Sequence, residues 1–548
     1  MSDYYIGIDV GTGSARAGLF DEDGTLLAAA KKPISIWKEA GDIVEQSSND
    51  IWQAICHCTR NVLAEAKITD PQDVKGVGFD ATCSLVVLDP SGNPLPVGPS
   101  EDAERNVIVW MDHRAIEQAH RINSGKYAVL NYVGGTISPE METPKLLWLK
   151  ENRPETFASA GHFMDLADFL TWRATGSTSR SVCTVTCKWT YMSHDTSWDE
   201  SYFRTIGLGA LAEDGFARIG DDIQDIAAPL GGGLTAAAAE ELGLFEGTKV
   251  GASLIDAHSG GVGTFAGRLP DGSTLDPEKQ MAFIMGTSAC AMALSKEPLF
   301  VDGVWGPYYG AMVPGYWLLE GGQSAYGAAL DFLVASHPAF PTANAEAEKV
   351  VKPLLVYLEE QALATAGSMD KVAFLARDVH VVPEYLGNRA PHADPEATAV
   401  ISGLTLDASL SNLVSLYVAG LCGLCYGTRQ IVDAAKGKGH GLETLVLSGG
   451  AAQSALFRRI LADTTGLSVA LPDSEEPVLL GGAIIGAVAA GRYASVVEAA
   501  GAMSRFAEVI NPDQTSYRGL HAAKYDIFCK LQALNRSTRA QMKALSAD

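Results

Sequence analysis

The carboxylate best placed for chemistry in this 548-residue sequence is Asp256, in the stretch Lys249 to Gly267, KVGASLIDAHSGGVGTFAG. A short apolar run ending at Leu254-Ile255 delivers it into a turn of small residues: Ala257, Ser259, Gly260, Gly261 and Gly263. Little there would crowd the side chain at the mouth of a cleft, so a substrate hydroxyl could pass its proton to it. The same aspartate suits a purely structural task as well, capping a helix over GGVGTFAG. His258 is a second candidate base, although a lone histidine beside a glycine-rich turn is more often structural.

Three glycine-bearing turns offer complementary chemistry. Gly11-Thr12-Gly13-Ser14 follows the run YYIGIDV that carries Asp9, Gly286-Thr287-Ser288 follows QMAFIM, and Gly449-Gly450-Ala451 follows ETLVLS. Backbone N–H groups in such turns suit phosphate oxygens, and a glycine pair lets a ligand approach the backbone at a helix N-terminus. The third turn reads equally as a plain β–α connection. Asp80 in GFDATC sits much as Asp9 does, either as part of this set or as an ordinary turn former.

These residues need elements to hold them. Residues 4–29 read as a β-meander, three apolar runs divided by GTGS and DEDG. GTGSAR misses the dinucleotide-binding pattern GxGxxG at Arg16 and continues as strand rather than helix, and the chain has no GxxxxGK[ST] phosphate loop. A helix is expected over 50–66 behind Asp50 as N-cap, then a strand, turn and strand over 75–89 with Asp80 at the turn. The strand–turn–strand device returns at 280–295, a weak internal duplication, and 443–466 reads as strand, double glycine and amphipathic helix. Two domains that each open with such a meander would face one another with both turns lining the cleft.

Length and composition bound the reading. The chain is too long for one core, so two large domains are expected. With 47% hydrophobic and 19% charged residues it has the balance of an ordered globular protein. A formal net charge of −24 argues against wrapping nucleic acid or lying on an anionic membrane, which leaves a small-molecule partner. MSDYYIGIDVG has no secretory pattern, and the apolar run Val478 to Gly491 falls short of the ~18 residues of a membrane span, so a cytoplasmic protein is expected. The nine cysteines are scattered, and Cys422 and Cys425 fall on an apolar helix, a poor metal or redox site.

Taken in order, DVGTGS near the start, WMDHR at 110–114, METPKLLWLKEN from Met141, the Asp256 stretch, GTS at Gly286, EGGQSAYGAALDF from Glu320 and SGGAAQS from Ser448 resemble the FGGY family of carbohydrate kinases. The similarity runs from about residue 4 to 510 and is strongest to the ribulokinases, particularly the D-ribulokinase branch. It implies an α/β fold of two actin-like, ribonuclease-H-like ATPase domains facing a central cleft. Residues 1–264 would form the sugar side, and 265–548 the nucleotide side with a C-terminal helical tail. Asp256 falls at the family's catalytic base. Asp9 aligns with a carboxylate that helps hold Mg²⁺, Gly11 to Ser14 with the first phosphate loop, Gly286 to Ser288 with the second, and Gly449, Gly450 and Ala451 with the adenosine segment. By similarity, Lys188, Glu320 and the backbone at Cys83 would touch the pentulose, with Asp112 nearby. Glu142 departs from the usual Ser, Thr or Pro of its position and puts that sugar-side contact in question.

The chemistry of phosphoryl transfer from ATP fits this set. It needs neutralised phosphates, an in-line geometry and a base. Mg²⁺ takes few carboxylates beside phosphate oxygens and waters, so Asp9 and Asp256 across a cleft would suffice. Glu320, expected at the end of a strand over 316–319, would accept hydrogen bonds from sugar hydroxyls, or else cap or face solvent. Lys188, in the strand-like run CTVTCKWTYM, would donate to a keto or hydroxyl oxygen, or else snorkel. The leading expectation is a kinase for D-ribulose. L-ribulose, D-xylulose, a pentitol, or a nucleotide-driven clamp without turnover are the alternatives. Oligomeric state stays open, a homodimer among the options.

Overall fold

The computed structural model describes residues 3–40, 42–513 and 518–545. The chain opens as expected, with β1 (Tyr4–Gly11), β2 (Ser14–Asp21) and β3 (Leu26–Pro33) in an antiparallel meander. Helix α1 (Ser48–Glu65) covers one face of it. Ser47 caps this helix, taking the Asp50 N–H, so Asp50 is not the N-cap but a first-turn residue whose carboxylate accepts from the Ser35 N–H. Strand β4 (Val74–Ala81) runs parallel to β1 and sets Asp80 beside Asp9. The expected hairpin over 75–89 does not form. Thr82 donates its N–H to Val10 at the end of β1, and Leu85–Leu88 leaves for a separate antiparallel sheet, where it pairs with His162–Asp165 and Val107–Ile108. Asp80 is therefore inside a strand, not at a turn.

Two short strands, β5 (Lys249–Val250) and β6 (Leu254–Ile255), extend β4 on its other edge. Two short helices complete the site's supports in this half. Helix α2 (Val182–Lys188) replaces the strand expected there, because the Ser181 side chain caps it by accepting the Cys183 N–H. Helix α3 (Asp256–Val262) starts directly after β6, earlier than the glycine-rich GGVGTFAG that was expected to form it.

The second half repeats the plan. β7 (Gln280–Met285) and β8 (Ala289–Ser295) form the expected hairpin, joined by β9 (Trp305–Tyr309) and β10 (Trp317–Gln323) on one side. β11 (Thr444–Gly449) lies parallel to β7, just as β4 lies parallel to β1. With β12 (Ser468–Pro472) and β13 (Phe506–Ile510), the order among the described residues is β9-β10-β8-β7-β11-β12-β13. Helix α4 (Leu410–Gly437) is apolar and long enough to cross a membrane, but 72% of its apolar window is buried inside the molecule. It packs this core with Cys422 and Cys425 fully enclosed. Helix α5 (Ala455–Thr465) follows the double glycine as expected.

Packing crosses the proposed division at 264/265 in several places, most extensively through one helix. Helix α6 (Pro477–Ala489) returns to the first sheet and lies on β1 and β4, backbone against backbone. A Cβ at Gly7 would stand 1.8 Å from the Leu479 carbonyl oxygen, one at Gly78 2.0 Å from that of Gly482, and one at Gly76 2.0 Å from that of Gly486. Along β1 the alternation is plain: Ile6, Ile8 and Val10 point to α1, and Gly7 to α6. The last helix, α7 (Arg518–Leu545), buries Phe528 in the second core.

Because neither backbone can retreat, Gly78→Ala is expected to destabilise the fold by about 1–3 kcal/mol or more. Gly232→Ala, whose Cβ would meet nothing within 4 Å, is the control and should stay within about 0.5 kcal/mol of wild type. Thermal unfolding of the two variants side by side checks this, and equal melting temperatures would refute it.

Candidate active site

A cavity of about 430 Å³ lies between the two halves, with Asp9, Asp256, Glu320 and Lys188 in its wall. A second cavity of about 440 Å³ is lined by Tyr132, Phe300 and Gly306, among others, and by none of these four. Asp256 is the first residue of α3. Ile255 occupies the cap position, so the helix-capping role does not hold, and Asp256 Oδ1 accepts the N–H of its own neighbour Ala257 at 2.7 Å. Burial and the nearby Asp9 raise its pKa to about 6.

Asp9 and Asp80 lie side by side at the ends of β1 and β4. Arg16 donates Nε–H to Asp9 at 2.7 Å and Nη1–H to Glu476 at 2.7 Å, tying β1 and β2 to the start of α6. Asp80 is fully buried and neither carboxyl oxygen has a hydrogen-bond partner. Burial first and Asp9 second hold its pKa well above the usual carboxylate range. Among the described residues no three His, Cys, Asp or Glu side chains are gathered as metal ligands. That donor set still fits Mg²⁺, which needs one or two carboxylates and completes its shell from phosphate and water. Asp80's orphaned oxygens mark a place where positive charge is missing.

At the other end of the cavity, Glu320 sits within β10, three residues before its end, rather than just beyond a strand. His258 Nε2 lies 3.3 Å from its carboxylate, and His258 Nδ1 lies 3.1 Å from Cys183 Sγ. Burial alone would raise Glu320, but Lys188 and His258 hold it down at about 2. Lys188, the last residue of α2, is 5% exposed, with Nζ 4.6 Å from the Trp305 ring centroid. Burial opposes its charge, and Glu320 more than restores it, so its pKa stands well above the ordinary lysine value. Cys83 lines the same wall, its thiol kept neutral by burial.

The two hairpin turns also line the cavity. Gly11, Thr12 and Ser14 line the cavity and Gly13 is the exposed tip between them, while Gly286 and Ser288 line it with Thr287 at the exposed tip. Gly449 pairs with Met285 across the sheet, which puts the Gly449-Gly450-Ala451 turn beside Gly286 at the mouth. Its φ of 93° and a Cβ position 2.0 Å from the Met285 carbonyl oxygen admit only glycine.

Of the residues named from the sequence, Asp112 and Glu142 do not reach the cavity, and Gly13, Thr287 and the turn Gly449, Gly450 and Ala451 lie outside its lining as well. Asp112 is fully buried, accepting from the Val44 N–H at 2.6 Å and pairing with Arg114 at 2.7 Å, so its oxygens anchor the WMDHR segment and are spent. Glu142 is enclosed against Lys145 at 3.3 Å, its pKa raised by burial to about 7. Sequence reasoning missed Trp110, Glu140, Trp305 and Arg389, all in the cavity wall. Trp110 lay in a motif already noticed, and its Nε1–H donates to Thr12 Oγ1 at 2.9 Å. The other three carry no local pattern, since Arg389 meets the Trp305 ring at 5.4 Å only because the chain brings residues 305 and 389 together.

The family profile described as "FGGY family of carbohydrate kinases" matches the chain twice, with its N-terminal domain over residues 4–263 and its C-terminal domain over 281–490. The chain belongs to this family. It is similar to the FGGY carbohydrate kinase domain-containing protein of Homo sapiens, 46% identical over 535 residues, 96% of each chain. It is also similar to a D-ribulokinase of Saccharomyces cerevisiae, 38% identical over 514 residues, covering 89% of this chain and 72% of the relative. In fold it resembles xylulose kinase from Rhodospirillum rubrum, TM-score 0.76 at 20% identity, covering 100% of both chains. The FGGY protein is thus an ATP-dependent sugar kinase with two actin-like, ribonuclease-H-like domains.

A carboxylate with its pKa raised to about 6 is protonated, and useless as a base, below that pH. If Asp256 takes the substrate proton, kcat/KM is expected to fall roughly tenfold per pH unit below about 6 and to level off above it. A profile flat down to about pH 4, the range of an unperturbed aspartate, would refute the assignment, with folding followed on the same samples.

Proposed function

We propose that this kinase phosphorylates the terminal hydroxyl of a pentulose, D-ribulose foremost, with Asp256 as general base and Mg-ATP as donor. The observation that carries the reading is the convergence of Asp256, Glu320 and Lys188 from both halves on one cavity that also meets the two glycine hairpin turns. A nucleotide clamp without turnover has no need of that set. The similarity to a D-ribulokinase supports the choice of sugar.

In this reading Gly11 to Ser14 and Gly286 to Ser288 hold phosphate oxygens through their backbone amides, and Gly449 to Ala451 receive the adenosine. Glu320 accepts from, and Lys188 donates to, oxygens of the ketose, while the backbone at Cys83 closes the wall. Asp9 and Asp256 would hold Mg²⁺, which when bound supplies neutralising charge to the phosphates. Asp256 takes the proton of the terminal hydroxyl as its oxygen bonds to the γ-phosphorus and the bond from that phosphorus to the ADP oxygen breaks. A sugar hydroxyl is too weak an acid to ionise beforehand, so proton and phosphoryl transfer are concerted in a site emptied of water. The phosphate turns lie in different halves, so closure of the halves both assembles the site and protects ATP from hydrolysis.

An ADP-release screen over ketopentoses, pentitols, glycerol and hexoses is expected to give D-ribulose the highest kcat/KM. Preference for glycerol or a hexose would sink the substrate assignment. Asp256→Asn is expected to lower kcat by roughly 10² to 10⁴-fold in a protein that melts like wild type and still binds ADP. Retention of more than about a tenth of wild-type kcat would remove Asp256 as the base.

A further inference from the structure

His258 follows the proposed base by two residues, yet its own bonds assign it elsewhere. Its ring is fully buried, with Nδ1 3.1 Å from Cys183 Sγ and Nε2 3.3 Å from a Glu320 carboxylate oxygen. Cys183 Sγ also accepts the Ile255 N–H at 3.3 Å, immediately before Asp256. The chain Cys183–His258–Glu320 therefore joins α2, α3 and β10, and Glu320 reaches it from the opposite half of the molecule.

Two proton arrangements satisfy these contacts. Either a thiol donates to Nδ1 of a neutral imidazole, or a thiolate faces an imidazolium. Both arrangements leave a proton on Nε2 aimed at Glu320. Glu320 is thereby fixed as an acceptor with one oxygen spoken for and the other free for the cavity.

Lys188 shows why that matters. It is the buried cation whose field acts most strongly on Glu320, yet no ion pair within 4 Å joins the two, whereas His258 pairs with Glu320 directly. Left unheld, a carboxylate and an ammonium in the wall of one cavity would swing together, and each would satisfy the other instead of a ligand. We propose that His258 is a positioning residue for the acceptor sugar: its Nε2–H holds the Glu320 carboxylate away from Lys188, so that acceptor and donor face separate oxygens of the ketose. This rests on the pentulose-kinase reading above.

The test separates sugar from nucleotide. KM and kcat are measured for each substrate, with the best acceptor of the wild-type enzyme, on His258→Phe, His258→Gln, Glu320→Gln and the double variant His258→Phe/Glu320→Gln. His258→Phe is expected to raise the sugar KM by about 10- to 100-fold, the usual worth of a hydrogen bond to a charged group, with the ATP KM within about twofold. His258→Gln, which retains an N–H donor on a side chain of similar reach, should recover most of the loss. The double variant should be no worse than Glu320→Gln alone, since His258 acts through Glu320. An unchanged sugar KM, an equal rise in the ATP KM, or full additivity in the double variant would overturn the proposal. Should His258→Phe fail to fold, Cys183→Ser and His258→Gln, each alone and with Glu320→Gln, decide it by the same additivity. If the best acceptor is not a pentulose, the reading of the substrate falls while the KM split still judges His258. A wild-type chain that phosphorylates no sugar overturns both.

Discussion

The closeness of helix α6 to the first sheet is the constraint on which the site depends. Glycines at 7, 76 and 78 face the α6 backbone so tightly that no side chain could intervene. The same helix lies against α3, where a Cβ on Gly481 would stand 1.9 Å from the Ser259 carbonyl oxygen and one on Gly263 1.9 Å from that of Pro477. Ser259 Oγ donates to the Val478 carbonyl at 2.9 Å. Strand β1 brings Asp9, β4 brings Asp80 and α3 brings Asp256, so one helix from late in the chain sets the mutual distances of all three carboxylates. A side chain at any of these glycines would force helix and sheet apart by about 1 Å or more, and an active site tolerates less than that.

With the frame fixed, the cavity can hold charges that would otherwise rearrange. Asp80 keeps two buried oxygens unpartnered, Lys188 and Glu320 stand unjoined across one space, and Asp9 is tethered by Arg16 rather than by the cavity. A buried polar group without a partner costs about 1–3 kcal/mol. The rigid surroundings absorb that cost, and in the proposed reading Mg-ATP and the sugar would relieve it. Electrostatic preorganisation of this kind needs no reorganisation at the moment of reaction.

The two halves share one device: a hairpin whose turn faces the cleft, with a parallel strand beside its first member. β1, β2 and β4 make it in the first half, β7, β8 and β11 in the second. The end of the cavity that carries Glu320 and Lys188 has no such symmetry. Its groups come from α2, from β10 and from the loops carrying Cys83, Glu140 and Arg389, so in the proposed reading the duplicated frame serves the nucleotide and the unduplicated loops serve the sugar. This division of labour lets one scaffold accept different sugars by loop changes alone.

The sequence by itself determined the local geometry. Runs such as YYIGIDVGTGSARAGLF and QMAFIMGTSACAMALS carry their strands and turns in their own periodicity, and Gly449 stands where its φ and its clearance would accept no other residue. The ordered motifs also identified the family and the position of Asp256. Tertiary structure decided what depends on contacts between distant segments. α2 is a helix because Ser181 caps it, although CTVTCKWTYM is rich in β-branched residues. Asp112 is spent on Arg114 and the Val44 N–H, while Glu140, Trp305 and Arg389, with no motif to mark them, meet in the cavity wall. His258 looks like a spare base in the sequence and becomes a link to Glu320 only when residues 62 positions apart are packed within 3.3 Å. Periodicity and turn chemistry act over a few residues and can be read along the chain, whereas burial and charge pairing are properties of the folded neighbourhood alone.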